Sequence, residues 1–195
     1  IKKCAQEGLE SDNIGIKTVD LVLNADNLQK GIVKYEMKPV DLKEIVSKIT
    51  AEKKVEAESR DLKIELDIKD GAYEVLADAF WLKEAINNLI ENSIKYTKKG
   101  VIAIGLEKTK DLPAQAGKVL VSVKDTGIGI DEEDRKILFT EGGRGKDSVH
   151  VNVDSTGYGL YSVKLIVEAH NGRVWAESKG EGQGSEFFIE LPVIV

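Results

Sequence analysis

Residues 78–97 read DAFWLKEAINNLIENSIKYT, and their periodicity sets how the flanking chain is parsed. Asp78 stands where a helix N-cap belongs, and apolar residues follow at helical spacing. At about 100° per residue, Leu82, Ile86, Leu89, Ile90 and Ser93 share one arc roughly 100° wide. That arc explains itself as core. Glu84, Asn88, Asn92 and Lys95 share a second arc on the opposite side, roughly 80° wide. Read alone, it is a solvated helix face. Three asparagines at mid-helix positions (Asn87, Asn88, Asn92) nevertheless carry a propensity cost, because Asn belongs at caps and turns. Amide oxygens are hard ligands suited to Mg²⁺, and a nearby Lys suits phosphate.

Downstream, Lys98-Lys99-Gly100 closes this helix, and Val101–Glu107 and Val119–Lys124 read as strands. Asp125-Thr-Gly127-Ile-Gly129-Ile130 follows the second strand as a glycine-punctuated turn. Two glycines two apart permit close backbone approach to a flat ligand or a phosphate, and a strand-end carboxylate can accept from an exocyclic amine. The alternative reading is an Asp-led turn and nothing more. A dinucleotide fingerprint is excluded, because Asp131 stands where its third glycine belongs. A short helix to Leu138 follows, led by the acidic run Asp131–Asp134, whose charge suits a helix N-terminus. Residues 140–156 lack periodicity and are expected to form a mobile loop.

A further helix runs from near Gly157 to His170. Ser155-Thr156-Gly157-Tyr158-Gly159-Leu160 precedes it, and such a helix start offers free N–H groups and a positive dipole end to an anion. It reads equally as a simple capped helix start, with Ser155 or Thr156 as the cap. No Gly-x-x-x-x-Gly-Lys-Ser/Thr string occurs, so a P-loop enzyme is excluded. Arg173–Ser178 and Glu186–Leu191 read as two strands joined by Gly-rich text.

Upstream, Leu9, Ile16 and Leu23 repeat at sevens in residues 1–33, a helix with a narrow seam that needs a partner helix. Ile32–Val40 reads as a short strand ending at Pro39. Asp41 caps a helix to about residue 58, with Glu44 at capping-box spacing. Lys63–Lys69 and Glu74–Leu76 are strands. Phe80 and Trp81 read as core or staple residues, and Trp175 as sheet packing. Interleaved helices and strands with several hairpin connections predict an α/β two-layer sandwich: a mixed, largely antiparallel sheet covered on one face by helices, preceded by an N-terminal helix.

Composition narrows the function. The 195 residues carry 28 Lys+Arg and 34 Asp+Glu, a net charge of −6, which argues against a nucleic-acid-binding surface. One cysteine, Cys4, rules out an internal disulfide and a cysteine-based zinc site. No apolar run is long enough to span a bilayer. The chain opens on Ile1 without a signal-peptide pattern, and is read as a piece of a longer protein whose membrane segment, if it has one, lies upstream.

The order of these motifs resembles the ATP-binding catalytic domain of sensor histidine kinases, in the superfamily shared with gyrase B, the Hsp90 chaperones and MutL. Asn88-Leu-Ile-Glu-Asn92-Ser-Ile-Lys95-Tyr96 resembles the N box, Asp125-Thr-Gly127-Ile-Gly129 the first glycine box, and Phe139 the F box. Gly157-Tyr-Gly159-Leu160 resembles the second glycine box, and Gly182-Gln-Gly184-Ser185 with Phe187 the last. The resemblance covers about residues 34–192 and implies a Bergerat-type ATP-binding fold over 34–195. Residues 1–33 would be part of the dimerisation and phosphotransfer helix, and 140–156 the ATP lid.

By that resemblance Asp125 holds the adenine amino group, with Gly129 and Ser185 lining the base pocket and Gly127 and Ile130 beside them. Asn92 coordinates Mg²⁺, Asn88 orients phosphates and metal and Lys95 contacts phosphate, both as catalytic groups, and Tyr96 sits near the nucleotide. The amides of Gly157, Gly159 and Leu160 bind the phosphate tail, with Thr156 and Tyr158 in the same stretch. Arg144 and Lys146 are lid candidates for the γ-phosphate. The implied cofactors are ATP and Mg²⁺.

The implied partners are the protein's own dimerisation domain, in a homodimer, and the receiver domain of a response regulator. The implied location is cytoplasmic. Two departures stand out: Ser155 replaces a family glycine, and neither His150 nor His170 sits in a phospho-acceptor context. The acceptor histidine is therefore expected upstream of Ile1. Other readings are an anti-sigma-type serine kinase on the same fold, a gyrase-, MutL- or Hsp90-type ATPase, and a non-catalytic nucleotide-sensing or scaffold module.

Overall fold

The computed structural model describes residues 23, 25–109, 117–143 and 157–194. Cys4, Leu9 and Ile16, and with them most of the expected N-terminal helix, lie outside these. Residues 25–29 are helical, with Ala25 and Leu28 turned inward and Leu23 facing solvent. Then follow β1 (Lys38–Asp41), α1 (Leu42–Glu58), β2 (Leu62–Ile68), β3 (Glu74–Ala77), α2 (Ala79–Tyr96), β4 (Gly100–Thr109) and β5 (Lys118–Asp125). The chain ends with α3 (Glu132–Ile137), α4 (Gly159–Ala169), β6 (Arg173–Glu177) and β7 (Ser185–Pro192).

Five strands form one sheet in the order β2-β4-β5-β7-β6, and β1 and β3 form a separate two-stranded ribbon. β2 runs parallel to β4, and every other pairing is antiparallel. This is the expected mixed, largely antiparallel sheet. The strands alternate because side chains point to opposite faces in turn. Ile102, Ile104 and Leu106 of β4, Val119, Val121 and Val123 of β5, and Phe187, Ile189 and Leu191 of β7 are all buried. Helices α1, α2 and α4 pack on that face. The predicted arc of α2 is buried throughout, from Leu82 to Ser93. Each buried Leu or Ile contributes about 1.5–3 kcal/mol relative to exposure.

Two expectations fail here. The first strand is confined to Lys38–Asp41, and residues 32–37 pair with nothing in a sheet. Their polar groups go elsewhere: the Glu36 N–H donates to Asp78 Oδ2 at 2.8 Å. Pro39, expected to end the strand, sits inside it opposite Leu76, a position that the ribbon's two-strand pairing tolerates. Phe80 is also not a core residue. It is 62% exposed in the first turn of α2, with its ring edge-on to Trp81.

Asp78 is a joint as well as a cap. Its Oδ1 accepts from the Phe80 and Trp81 N–H groups, its Oδ2 from Glu36, and its own N–H donates to His170 Nε2 at 2.9 Å. That bond makes Nε2 the acceptor, so Nδ1 carries the proton and donates to the Ile166 carbonyl at 2.7 Å. Tyr35 sets its ring edge against both Trp81 and His170. The entering chain, the start of α2 and the end of α4 thus meet at one buried point.

Two outcomes follow. Asp78→Ala removes three accepted bonds at a buried site and should cost about 3 kcal/mol, whereas Asp41→Ala, which loses one exposed bond to the Lys43 N–H, should cost about 1 kcal/mol; urea unfolding of the two variants checks this. Tyr73 is buried and donates to the Lys69 and Leu106 carbonyls; burial first, then the charges of Asp70 and Glu107, raises its hydroxyl above the ordinary value of about 10. A hydroxyl that resists ionisation in the fold contributes fully below that pH and loses its contribution as pH rises above it. Unfolding free energy should therefore fall on the alkaline side, and less steeply in Tyr73→Phe.

Candidate functional site

Val119, Val121 and Val123 put every second residue of β5 on the helix-covered face, and Asp125 is next in that row. A carboxylate therefore occupies a core position, 4% exposed. Such a group is expensive to bury unless it is hydrogen-bonded. Its Oδ1 accepts from the Gly127 N–H at 2.9 Å and the Ser185 N–H at 3.2 Å. Its Oδ2 accepts from Ser185 Oγ at 2.6 Å and Ser93 Oγ at 3.2 Å. The donors come from β7, from α2 and from the turn after β5.

The turn at 125–130 is laced to the turn at 178–185. Gly184 N–H donates to Gly127 O, Gly182 N–H to Ile128 O, and Ile130 N–H to Ser178 Oγ. The Ile128 N–H donates to the Tyr96 carbonyl at the end of α2. Gly127 sits in a cradle that a Cβ would fill, 2.5 Å from Tyr96 O, 2.9 Å from Asp125 Oδ1 and 3.0 Å from Thr97 Oγ1. Gly184 has φ +70°, and a methyl there would run into the Asp125 carbonyl. Thr97 Oγ1 is buried and has no hydrogen-bond partner.

The second arc of α2 is half-buried rather than solvated: Glu84, Asn88, Asn92 and Lys95 are all intermediate in exposure. Asn88 Nδ2 donates to the Glu84 carbonyl at 3.1 Å, and its Oδ1 faces Gly159, the first residue of α4. The start of α4 has no side-chain cap. The first N–H groups of a helix have no acceptor inside it, and the side chain at this N-cap supplies none. The Lys95 ammonium lies 5.5 Å from the centre of the Tyr96 ring. Gly157 reaches the backbone of Gly142, so the described ends of the expected lid meet.

The structure thus sets Asn88 against Gly159, with Leu160 next along α4, and gathers Asp125, Gly127, Gly129, Ile130 and Ser185 near the end of α2, where Tyr96 lies; Asn92 and Lys95 lie on α2 between Asn88 and Tyr96. Gly157 and Tyr158 lead into α4. Arg144, Lys146 and Thr156 lie outside the described residues, as do Ser155 and His150. His170 is the 2%-exposed joint residue described above.

Two residues escaped the sequence reading. By periodicity Ser93 belongs to the apolar arc and Thr97 to a helix end, yet both hydroxyls lie at the buried carboxylate or beside it. The available signal was a hydroxyl in an otherwise aliphatic arc, and an Asp continuing a Val-x-Val-x-Val row.

The family described as histidine kinase-, DNA gyrase B- and HSP90-like ATPase matches residues 77–194. Drug sensory protein A of Synechocystis is 32% identical over 190 residues, 94% of this chain and 28% of that protein. Sensor histidine kinase AruS of Pseudomonas aeruginosa is 38% identical over 113 residues, 57% of this chain and 11% of that protein. The chain spans less than half the length of the curated relatives it matches. Among solved structures, the catalytic domain of histidine kinase ThkA superposes with a TM-score of 0.66 at 26% identity, covering 80% of this chain and 97% of that one. Full-length ShkA in complex with AMPPNP, at 23% identity, has a TM-score of 0.79, covering 97% of this chain and 38% of that one, and shares the fold.

Gly184→Ala is expected to push the 178–185 turn off the Asp125 carbonyl and weaken the donors to the carboxylate. A lowered thermal midpoint, with faster amide exchange at Gly127 and Ser185 than in wild type, is the expected readout.

Proposed function

Because the chain belongs to the family of histidine kinase-, DNA gyrase B- and HSP90-like ATPases, we propose that it is the ATP-binding catalytic part of a two-component sensor histidine kinase. The observation that carries this reading is the buried Asp125 carboxylate at one end of α2 and an uncapped helix start facing Asn88 along the same helix. An adenine amino group needs a buried acceptor, and a triphosphate needs free N–H groups. The residues present fit both ends of one nucleotide.

In this reading Asp125 accepts from the adenine amino group, with Gly127, Gly129, Ile130 and Ser185 around the base. Lys95 and the amides of Gly157, Gly159 and Leu160 hold the phosphates, Asn88 orients them, and Tyr96, Thr156 and Tyr158 complete the contacts. Arg144 and Lys146 reach the γ-phosphate from a lid at 140–156. Asn92 offers an amide oxygen to Mg²⁺, which when bound would neutralise phosphate charge. The chain's own work is positioning: it fixes the base, aligns the phosphates and places positive groups where charge develops.

The γ-phosphoryl would pass to an imidazole nitrogen of a histidine upstream of Ile1, releasing ADP, and from there to an aspartate of a response regulator. Residues 1–33 would belong to the dimerisation and phosphotransfer helix and 34–195 to the catalytic domain. The full-length protein would be a homodimer acting in the cytoplasm, membrane-anchored only through upstream segments. Among the described residues no helix is long and apolar enough to cross a membrane.

Calorimetric titration with a non-hydrolysable ATP analogue tests the reading. Binding strengthened by Mg²⁺ and reduced about 10- to 100-fold in Asp125→Asn is expected, since a charged hydrogen bond is worth about 1.5–3 kcal/mol and its amide replacement turns a donor toward the base amine. Absence of binding in wild type would leave the scaffold reading instead.

A further inference from the structure

Ser93 is fully buried in α2, among Leu89, Ile90 and Ile94. A hydroxyl there has an easy local partner in the carbonyl one turn back. Thr50 of α1 takes that option and donates to the Val46 carbonyl at 2.7 Å. Ser93 turns away from its own helix and donates to Asp125 Oδ2. An alanine would suit both the helix and the apolar arc better.

The carboxylate itself is full. An ionised carboxylate offers about four lone-pair sites. Gly127 N–H, Ser185 N–H, Ser185 Oγ and Ser93 Oγ already account for four donors. A base amino group can enter only where one of them yields. The two N–H groups are fixed by the backbone. Of the two hydroxyls, Ser185 lies on the partly exposed side and Ser93 has no accessible surface.

We infer that Ser93 is a positioning residue for base selection: it stays on Oδ2 while the Ser185 hydroxyl gives up its place to the exocyclic amine of the base. Ser93 would thereby hold the carboxylate oriented for an amine donor and favour 6-aminopurines over purines without that group. This rests on the nucleotide reading above and goes beyond it, since it assigns the selection of the base partly to α2.

The test compares ADP with purine riboside 5′-diphosphate, which lacks the amino group, on wild type and Ser93→Ala by calorimetry. Ser93→Ala is expected to weaken ADP about tenfold and leave the purine analogue within about twofold. Ser93→Cys keeps the size, donates weakly and should fall between. Equal losses for both ligands would mean a merely structural serine and overturn the proposal. So would unchanged or tighter ADP binding. If wild type binds neither ligand, the nucleotide reading itself falls and the proposal with it, whereas normal ADP binding with an indifferent Ser93→Ala refutes the proposal alone.

Discussion

A carboxylate in a row of valines constrains this fold. Asp125 continues the inward face of β5, and its charge can stay there only while donors surround it. Those donors arrive from separate parts of the chain, so each part must be correctly placed for the others to be stable. β5 and β7 must pair with Asp125 opposite Ser185, as they do. A slip of one residue would exchange the faces of β7 and turn Phe187, Ile189 and Leu191 outward. Helix α2 must present Ser93 at the same height, and the 178–185 turn must lie against the 125–130 turn. The arrangement ties the sheet, one helix and two loops to a single charged group.

The other end of α2 has a comparable but differently built anchor. There the polar group is a cap, and the partners are a backbone amide from the entering chain and an imidazole from α4. The helix is thus held at Asp78 and at Tyr96–Thr97, and α4 is held at His170 while its first residue meets Asn88. Rigid helices fixed at their far ends place the asparagines and the start of α4 between them with little freedom.

Much of this was legible in the sequence, for physical reasons. The apolar arc of α2 and the alternation in β4, β5 and β7 follow directly from periods of 3.6 and 2. The glycine-broken turns were visible because a turn at φ +70° or a close backbone approach selects glycine. What was not legible involves partners distant along the chain. Residues 32–37 read as a strand because their alternation is real, but their amide partner is an aspartate 42 residues away. Phe80 read as core because aromatic residues usually are, yet the first turn of a helix can point one of two neighbouring rings outward. The parallel pairing of β2 with β4 leaves no local mark at all. Ser93 was hidden by its neighbours: among Leu and Ile it counts as a small core residue until the carboxylate it faces is known.

The placement of the two tryptophans bears on how the molecule can be observed. Trp81 sits at the Asp78 joint, about 24 Å along the helix axis from Thr97 at 1.5 Å per residue. Trp175 lies on β6, stacked on Phe188 with the Arg173 guanidinium over its ring. Neither indole is among the groups that bond to Asp125. Intrinsic emission will therefore register the integrity of the joint and of the sheet edge rather than the surroundings of Asp125, so an optical probe of that carboxylate needs a reporter placed there on purpose.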